Sequence, residues 1–521
     1  MQEKEIGAVE LGVKSAKVAS LVALTQIVSI FIGGFMLIAL ARLLQPAQYG
    51  VYTLALGVSS FFSAFGLLGI NDYLNRYIPI WSAKNKRSEL RRDLGTGILV
   101  LLTISLIGVL IGIALSGPIS MHVFHSTVSY VLVIDASLVS ALFMLFMFLV
   151  YNALIGFKDG IGSALTFSMG NLAIAIASIT LVLLGYGVLG ALSGAIIGSA
   201  CGIVIGFFYL AKHSKIEFDL RGFTKRAKRI LFFSLPLVGR EGVGNFVSSF
   251  SIIFLGVFSS SIILGSFGVA YNIGTIINTA LLFVGSVLVQ MFSSALASRK
   301  SKEAIGKFYN YSVYFGLMLC IPIVVYLTVF ARPIVISLFP NFTSAVLYIP
   351  AICASFVVGT IGLYAASLAV SEGKPKTVLK YAILTGIVQV ILLLILVPRL
   401  NAYGVIVGVY FAGSIVSDYL YMRYMKKELH ITLEFGRIAR IVLASVILAA
   451  LLYPINLIRT SQTVQLAIGI VAVLLIYPIL LGLSRAIGKK EVGLLQMIGK
   501  GTPRMGILFD YLASYISIFI R

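Results

Sequence analysis

Fourteen long apolar stretches separated by short polar joints run through this chain, and the bases cluster in every second joint. That alternation constrains the fold more than any motif. A helix of ~20 apolar residues crosses a bilayer because only there must the backbone satisfy all its own hydrogen bonds. The stretches fall near 17–41, 51–70, 94–116, 128–155, 163–184, 188–211 and 230–258 in the first part of the chain. They continue near 262–290, 309–330, 344–370, 379–398, 404–424, 437–455 and 464–484. With 59% hydrophobic and only 11% charged residues, no soluble core could absorb the remainder. The expectation is an all-α polytopic membrane protein.

Charge sets the sidedness. Of the 40 Lys and Arg residues, 35 lie at one set of ends, while Arg42, Arg332, Arg399 and Arg459 lie at the other. The positive-inside rule then places both termini in the cytoplasm of a multi-pass plasma-membrane protein. The net charge of +22 is therefore a topology signal rather than a nucleic-acid surface. The first stretch is too long for a signal-peptide core, so the N-terminus is expected to be retained. Cys201, Cys320 and Cys353 all sit in apolar stretches without a CxxC pair, and no metal or cofactor is expected.

The chain also repeats itself. Tyr186-Gly187-Val188 recurs as Tyr403-Gly404-Val405, an offset of 217. Gly156-Phe157-Lys158 corresponds to Gly373-Lys374-Pro375 at 217, Gly117-Pro118-Ile119 to Arg332-Pro333-Ile334 at 215, and Tyr49-Gly50-Val51 to Phe267-Gly268-Val269 at 218. Spans 1–6 and 7–12 are thus read as two six-helix units in one orientation, since six is even. The expected layout is a cytoplasmic N-terminus (1–16), a first bundle (17–211), a basic linker (212–229), a second bundle (230–424), helices 13 and 14 (425–484) and an interfacial tail (485–521). Parallel repeats of this kind place a transport path between the halves. Span 6 carries Gly190, Gly194, Gly198, Gly202 and Gly206 in strict four-residue steps, which predicts a close helix–helix seam.

Ionisable groups inside the spans carry the functional expectation, because a charge at mid-membrane costs ~2.5–3.5 kcal/mol and so faces a cavity or a partner. Arg240 and Glu241 stand about ten residues into span 7, after Pro236. Arg240 suits an anionic phosphate, whose oxygens match the planar guanidinium fork. Arg42 offers a second positive point. Asn71, Asp72, Asn75 and Arg76 cluster where span 2 meets the cytoplasm and are candidates for a gate. Asp135 in span 4, Asp418 in span 12 and Glu241 are candidates for ion coupling.

The run from Ala41 to Pro79, ARLLQPAQYGVYTLALGVSSFFSAFGLLGINDYLNRYIP, resembles the polysaccharide and oligosaccharide flippases of the multidrug/oligosaccharidyl-lipid/polysaccharide (MOP) exporter superfamily. The resemblance extends over the twelve-plus-two span count. It implies two six-helix bundles around a central cavity and alternating access. The implied cargo is a polyprenyl-(pyro)phosphate-linked oligosaccharide, delivered to the outer leaflet for surface polysaccharide or glycoprotein assembly. Implied partners are that lipid-linked sugar, membrane lipids and the glycosyltransferases or polymerase of the same pathway, around a monomer that binds no nucleic acid. One alternative is a cation-coupled multidrug exporter of the same superfamily, although residues 17–41 lack the acid many such exporters carry in span 1. A more distant alternative is a polytopic glycosyltransferase, disfavoured by short outer joints, the absence of a DxD motif and a sole tryptophan, Trp81, on the cytoplasmic side.

Overall fold

The computed structural model describes residues 2–64, 73–74, 77–78, 81, 87–124, 130–213, 221–297, 302–458 and 460–486. Among them every regular element is helical, and twelve helices are long and apolar enough to cross a membrane. Two of the twelve, of 39 and 54 residues, are too long for one crossing, since ~30 Å of hydrocarbon needs about 20 residues. Each is broken where the sequence placed an outer joint. In helix α1 (Gln2–Ser63) the break is Gln45, at φ 63 and ψ 166. Pro46 follows it, disfavouring a helical conformation at Gln45 while itself suiting a first helical turn. In the other, α4 (Gly160–Leu181) passes through a π-helical turn, Val182–Tyr186, into α5 (Gly187–His213). Gly185 and Gly187 take φ 92 and 52 there, values open to glycine at little cost. Counting these two breaks recovers the fourteen stretches read from hydropathy.

Contacts between joints agree with the sidedness drawn from charge. The chain forms two compact units, one of residues 1–268 and 382–405 and another of 269–381 and 406–521. Within the first unit, joints assigned to the outer side meet one another: Ser259 Oγ donates to Asn401 Oδ1 at 3.1 Å. Gly187 lies beside Gln48, and Gly50 packs on the backbone of Ser261. Its basic joints also meet, through Asp159–His213 and Asp93–Arg229. In the second unit the basic joints meet through Lys374–Glu428 and Tyr424–Glu372, while Asn456 Nδ2 reaches Val329 O at 2.7 Å between two outer joints. A miscounted span would have mixed the two groups.

The glycine seam of α5 is real and has a partner. A Cβ built on Gly194 would strike the backbone of Ser178, on Gly198 that of Ile174, and on Gly206 the side chains of Val150 and Thr166. Across the seam the facing residues of α4 (Thr166, Gly170, Ile174 and Ser178) share the four-residue step, so backbone lies on backbone. Ser178 Oγ donates to Ala191 O at 2.8 Å, fixing the register.

The repeat also survives in its turns, with a two-residue correction. Lys158 N donates to Ile155 O (2.8 Å) and Asp159 N to Leu154 O (3.0 Å); Gly373 N donates to Val370 O and Lys374 N to Ala369 O, both at 3.0 Å. Both are Schellman closures with a left-handed residue after the helix end. That residue is Lys158 (φ 58) in the first copy and Gly373 (φ 74) in the second. At this joint the structural offset is therefore 215, not 217, because backbone geometry rather than residue identity defines the equivalence.

Candidate substrate pathway

The densest polar construction among the described residues lies at the basic end of the first unit and centres on Asp93. This residue sits in the second turn of α2 (Arg87–His122) and is only 2% exposed. Its Oδ2 accepts from Tyr73 Oη at 2.8 Å and from Trp81 Nε1 at 2.9 Å. Arg229 Nη2 donates to Oδ1 at 2.6 Å and to Oδ2 at 2.8 Å. Tyr73, Tyr77 and Trp81 follow one another at four-residue steps, the spacing of one helix face. Tyr73 stacks on Tyr77 with centroids 4.4 Å apart. Arg226, one turn before Arg229, reaches Thr96 Oγ1 at 3.1 Å. Burial, and then the Asp93 charge, push the Tyr73 phenol well up, so it remains a donor. Burial pulls Arg229 down, but Asp93 and Tyr73 outweigh it and the guanidinium ends above its usual value. The hub thus fastens the start of α6 (Phe223–Phe258), which is span 7, to span 3.

A lesser hub stands at the next basic joint. Asp159 caps α4 by accepting from Gly162 N at 2.8 Å, and its other oxygen lies 2.7 Å from His213 Nε2. The His213 ring stacks on Phe157 with centroids 5.4 Å apart.

The residues predicted from sequence are distributed unevenly. Arg240 lies in α6, with its side chain outside the described residues, and Glu241 beside it is exposed. Asn71, Asp72, Asn75 and Arg76 lie outside the described residues. Arg42 is exposed three residues before the Gln45 break, and its carbonyl accepts from Gln45 Nε2 at 3.2 Å. Asp135 is half-buried in α3 (Val131–Gly156), where its Oδ1 is enclosed and has no hydrogen-bond partner among the described residues. Asp418 differs: 6% exposed, it accepts the Gly362 N–H at 2.7 Å. Span 10 is interrupted at Gly359, so the helix resuming at Thr360 begins with unsatisfied N–H groups, and Asp418 caps one from a neighbouring helix.

A family model described as "Polysaccharide biosynthesis protein" matches residues 15–296, more than half the chain. The chain belongs to that family. No curated protein gives a significant match. Among solved structures, the lipid II flippase MurJ in an inward closed conformation aligns with TM-score 0.70 at 17% identity, over 88% of this chain and 98% of MurJ. An inward-facing multidrug resistance MATE transporter of the MOP superfamily aligns with TM-score 0.57 at 17% identity, over 79% and 95%. A mutant of the Vibrio cholerae MATE transporter VcmN gives 0.56 at 14% identity, over 80% and 99%. This polysaccharide biosynthesis protein therefore has the MOP superfamily fold, as the Ala41–Pro79 run predicted.

Sequence reading of this family member missed two features. Asp93, which shares its basic joint with Glu89, looks in sequence like a solvated helix end; only the pairing with Arg229, 136 residues away, distinguishes it. The second is a ladder on α6: Phe246, Phe250 and Phe254 stack in turn with centroids 6.0 and 5.8 Å apart, and Phe258 meets Phe254 at 4.9 Å with its ring tilted by 52°. Phe61 of span 2 adds to its end at 5.2 Å from Phe246. The signal was present as Phe at four-residue steps.

Proposed function

We propose that this protein carries a polyprenyl-(pyro)phosphate-linked oligosaccharide from the cytoplasmic to the outer leaflet by alternating access, for assembly of a surface polysaccharide or glycoprotein. The observation that carries the reading is the match to the polysaccharide biosynthesis family on a MurJ-like fold. It is transport without catalysis, by a monomer with both termini cytoplasmic. Arg240 binds the phosphate through its guanidinium fork, Arg42 offers a second positive point, and Glu241 lines the same cavity. Asn71, Asp72, Asn75 and Arg76 form the cytoplasmic entrance. The Phe246–Phe258 ladder offers apolar surface to the prenyl tail from a little under two turns beyond Arg240.

Ion coupling falls to Asp135 in preference to Asp418. A carboxylate with an enclosed, unbonded oxygen has spare capacity to take up a proton or cation, whereas Asp418 is occupied with Gly362.

In cells lacking the protein, lipid-linked oligosaccharide accumulates on the cytoplasmic leaflet while its synthesis continues. Arg240→Ala abolishes flipping in protein that still folds, and Arg240→Lys restores part of it, because a point charge replaces a bidentate fork. A change in drug sensitivity with surface glycan intact would establish the multidrug exporter instead. Cysteines placed near 335 and 400 label from outside, and those near 302 and 427 only after permeabilisation.

A further inference from the structure

The second unit contains a cavity of about 210 Å³ that the transport reading does not use. It lies at the basic end, where span 12 finishes in a π-helical turn, Met425–Leu429. His430 then takes a left-handed conformation at φ 56, and residues 431–434 run non-helically into α15 (Phe435–Leu452). That short segment is pinned to α8 (Lys302–Val329): Asn310 Nδ2 donates to Thr432 O at 3.0 Å and Tyr314 Oη to Glu434 O at 3.4 Å. Met422, Met425, Ile431, Leu433 and Phe435 give the cavity an apolar lining, in which Lys426 is the one cation among the described residues.

We propose that this cavity binds an anionic phospholipid of the cytoplasmic leaflet, with part of an acyl chain among the methionines and Lys426 on the phosphate. The volume suits such a ligand, since an apolar cavity of ~150 Å³ already takes a benzene-sized molecule and stays dry without one. Two flexible thioethers accommodate a chain of no fixed conformation. Charge complementarity selects the headgroup. Arg423 and Lys427 are exposed beside Lys426, whereas the nearest acids are engaged, Glu428 with Lys374 at 3.3 Å and Glu434 with Arg437 at 3.3 Å. Lys426 has no acidic partner among the described residues. A free phosphate would leave the apolar wall unused, and a neutral lipid would leave the cation unused. Phe435, 58% exposed at the rim, continues the apolar surface outward.

The test is lipid retention by the purified full-length protein, independent of flipping, so that failure of the transport reading leaves it untouched. The protein is exchanged into nanodiscs of phosphatidylcholine containing phosphatidylglycerol, released, and its bound lipids counted by native mass spectrometry. One tightly held phosphatidylglycerol per chain is expected. Lys426→Gln weakens its retention about fivefold, the equivalent of roughly 1 kcal/mol for one interfacial charge, and Lys426→Arg preserves it. Leu433→Trp, which fills the cavity, removes it. Should Leu433→Trp fail to fold, the Gln and Arg variants at Lys426 decide alone, with an unchanged melting temperature in lipid-free detergent as control. Equal retention by Lys426→Gln, or equal retention of phosphatidylcholine, overturns the proposal. So does displacement of phosphatidylglycerol by equimolar polyprenyl phosphate, which would make the cavity a station for cargo.

Discussion

Spans 5 and 6 hold the same place in the first copy of the repeat as spans 11 and 12 in the second, yet the two pairs are built differently. In the first pair, α5 lays Gly190, Gly194 and Gly198 on the backbone of α4, and both helices lie wholly in one compact unit. In the second, the glycine run shrinks to Gly404 and Gly408: Gly404 still lies on the backbone of Leu396 and Val397, but Gly386 of the same helix, Pro375–Leu400, packs on Val243 of α6. The division between units cuts both members of this pair, after Tyr381 and after Val405, and the second cut falls where a π-helical segment, Ile406–Phe411, begins. π-helical segments within α-helices concentrate at functional sites. The two copies read from the sequence thus share the turn at Lys158 and Gly373 but differ in packing. One copy became a rigid pair, and its counterpart holds two of the three points where the chain passes from one compact unit to the other.

The largest expected effect tests that difference directly. Gly198→Leu drives a side chain into the backbone of Ile174, which cannot move aside. It should destabilise by about 3 kcal/mol or more, seen as loss of folded protein in detergent melting. Gly386→Ala in the counterpart meets a Val243 methyl at 2.8 Å, a side-chain atom rather than backbone, and should cost less, ~1–2 kcal/mol. Equal losses would erase the distinction between a rigid pair and a passing pair.

Next in size is the contrast between the two basic ends. Asp93→Leu strands Tyr73, Trp81 and Arg229 around an apolar side chain, and breaking such a buried cluster costs ~3 kcal/mol. The ion pair of Lys374 with Glu428 in the other unit is half-exposed, so Lys374→Ala should cost under ~1 kcal/mol. Thermal melting of the two variants side by side measures the gap.

The carboxylates give a smaller effect on stability and a larger one on transport. Asp418→Ala removes an inter-helix cap and should cost ~1–2 kcal/mol. Asp135→Asn removes no described hydrogen bond and should leave the melting temperature within a degree or two, while abolishing the pH dependence of flipping in reconstituted vesicles. If Asp135→Asn flips with unchanged pH dependence, coupling lies elsewhere.

Smallest is the turn. Lys158→Gly relieves a left-handed non-glycine residue worth ~1–2 kcal/mol, offset by ~0.5–1 kcal/mol of added chain entropy, for a net gain of about 0.5 kcal/mol. Gly373→Lys should lose a similar amount. The two shifts, opposite in sign, would confirm that residues 158 and 373 are equivalent at an offset of 215.

The membrane class, the number of crossings, the breaks at Gln45 and Gly185, the grouping of joints by side and the glycine seam of α5 were all legible in the chain itself. The reason is physical. Hydropathy and charge respond to the bilayer, an external field that each segment meets on its own, and a glycine every fourth residue marks a helix face before any partner is known. What pairs with what was decided only in three dimensions. Arg229 and Asp93 are 136 positions apart, and Gly362 and Asp418 are 56 apart. Nothing local to Asp93, Asp135 or Asp418 marks one as an ion-pair hub, one as unbonded and one as a cap. A carboxylate's role depends on which donors the packing brings within about 3 Å of it, and the interaction falls away too steeply with distance for sequence position to stand in for contact.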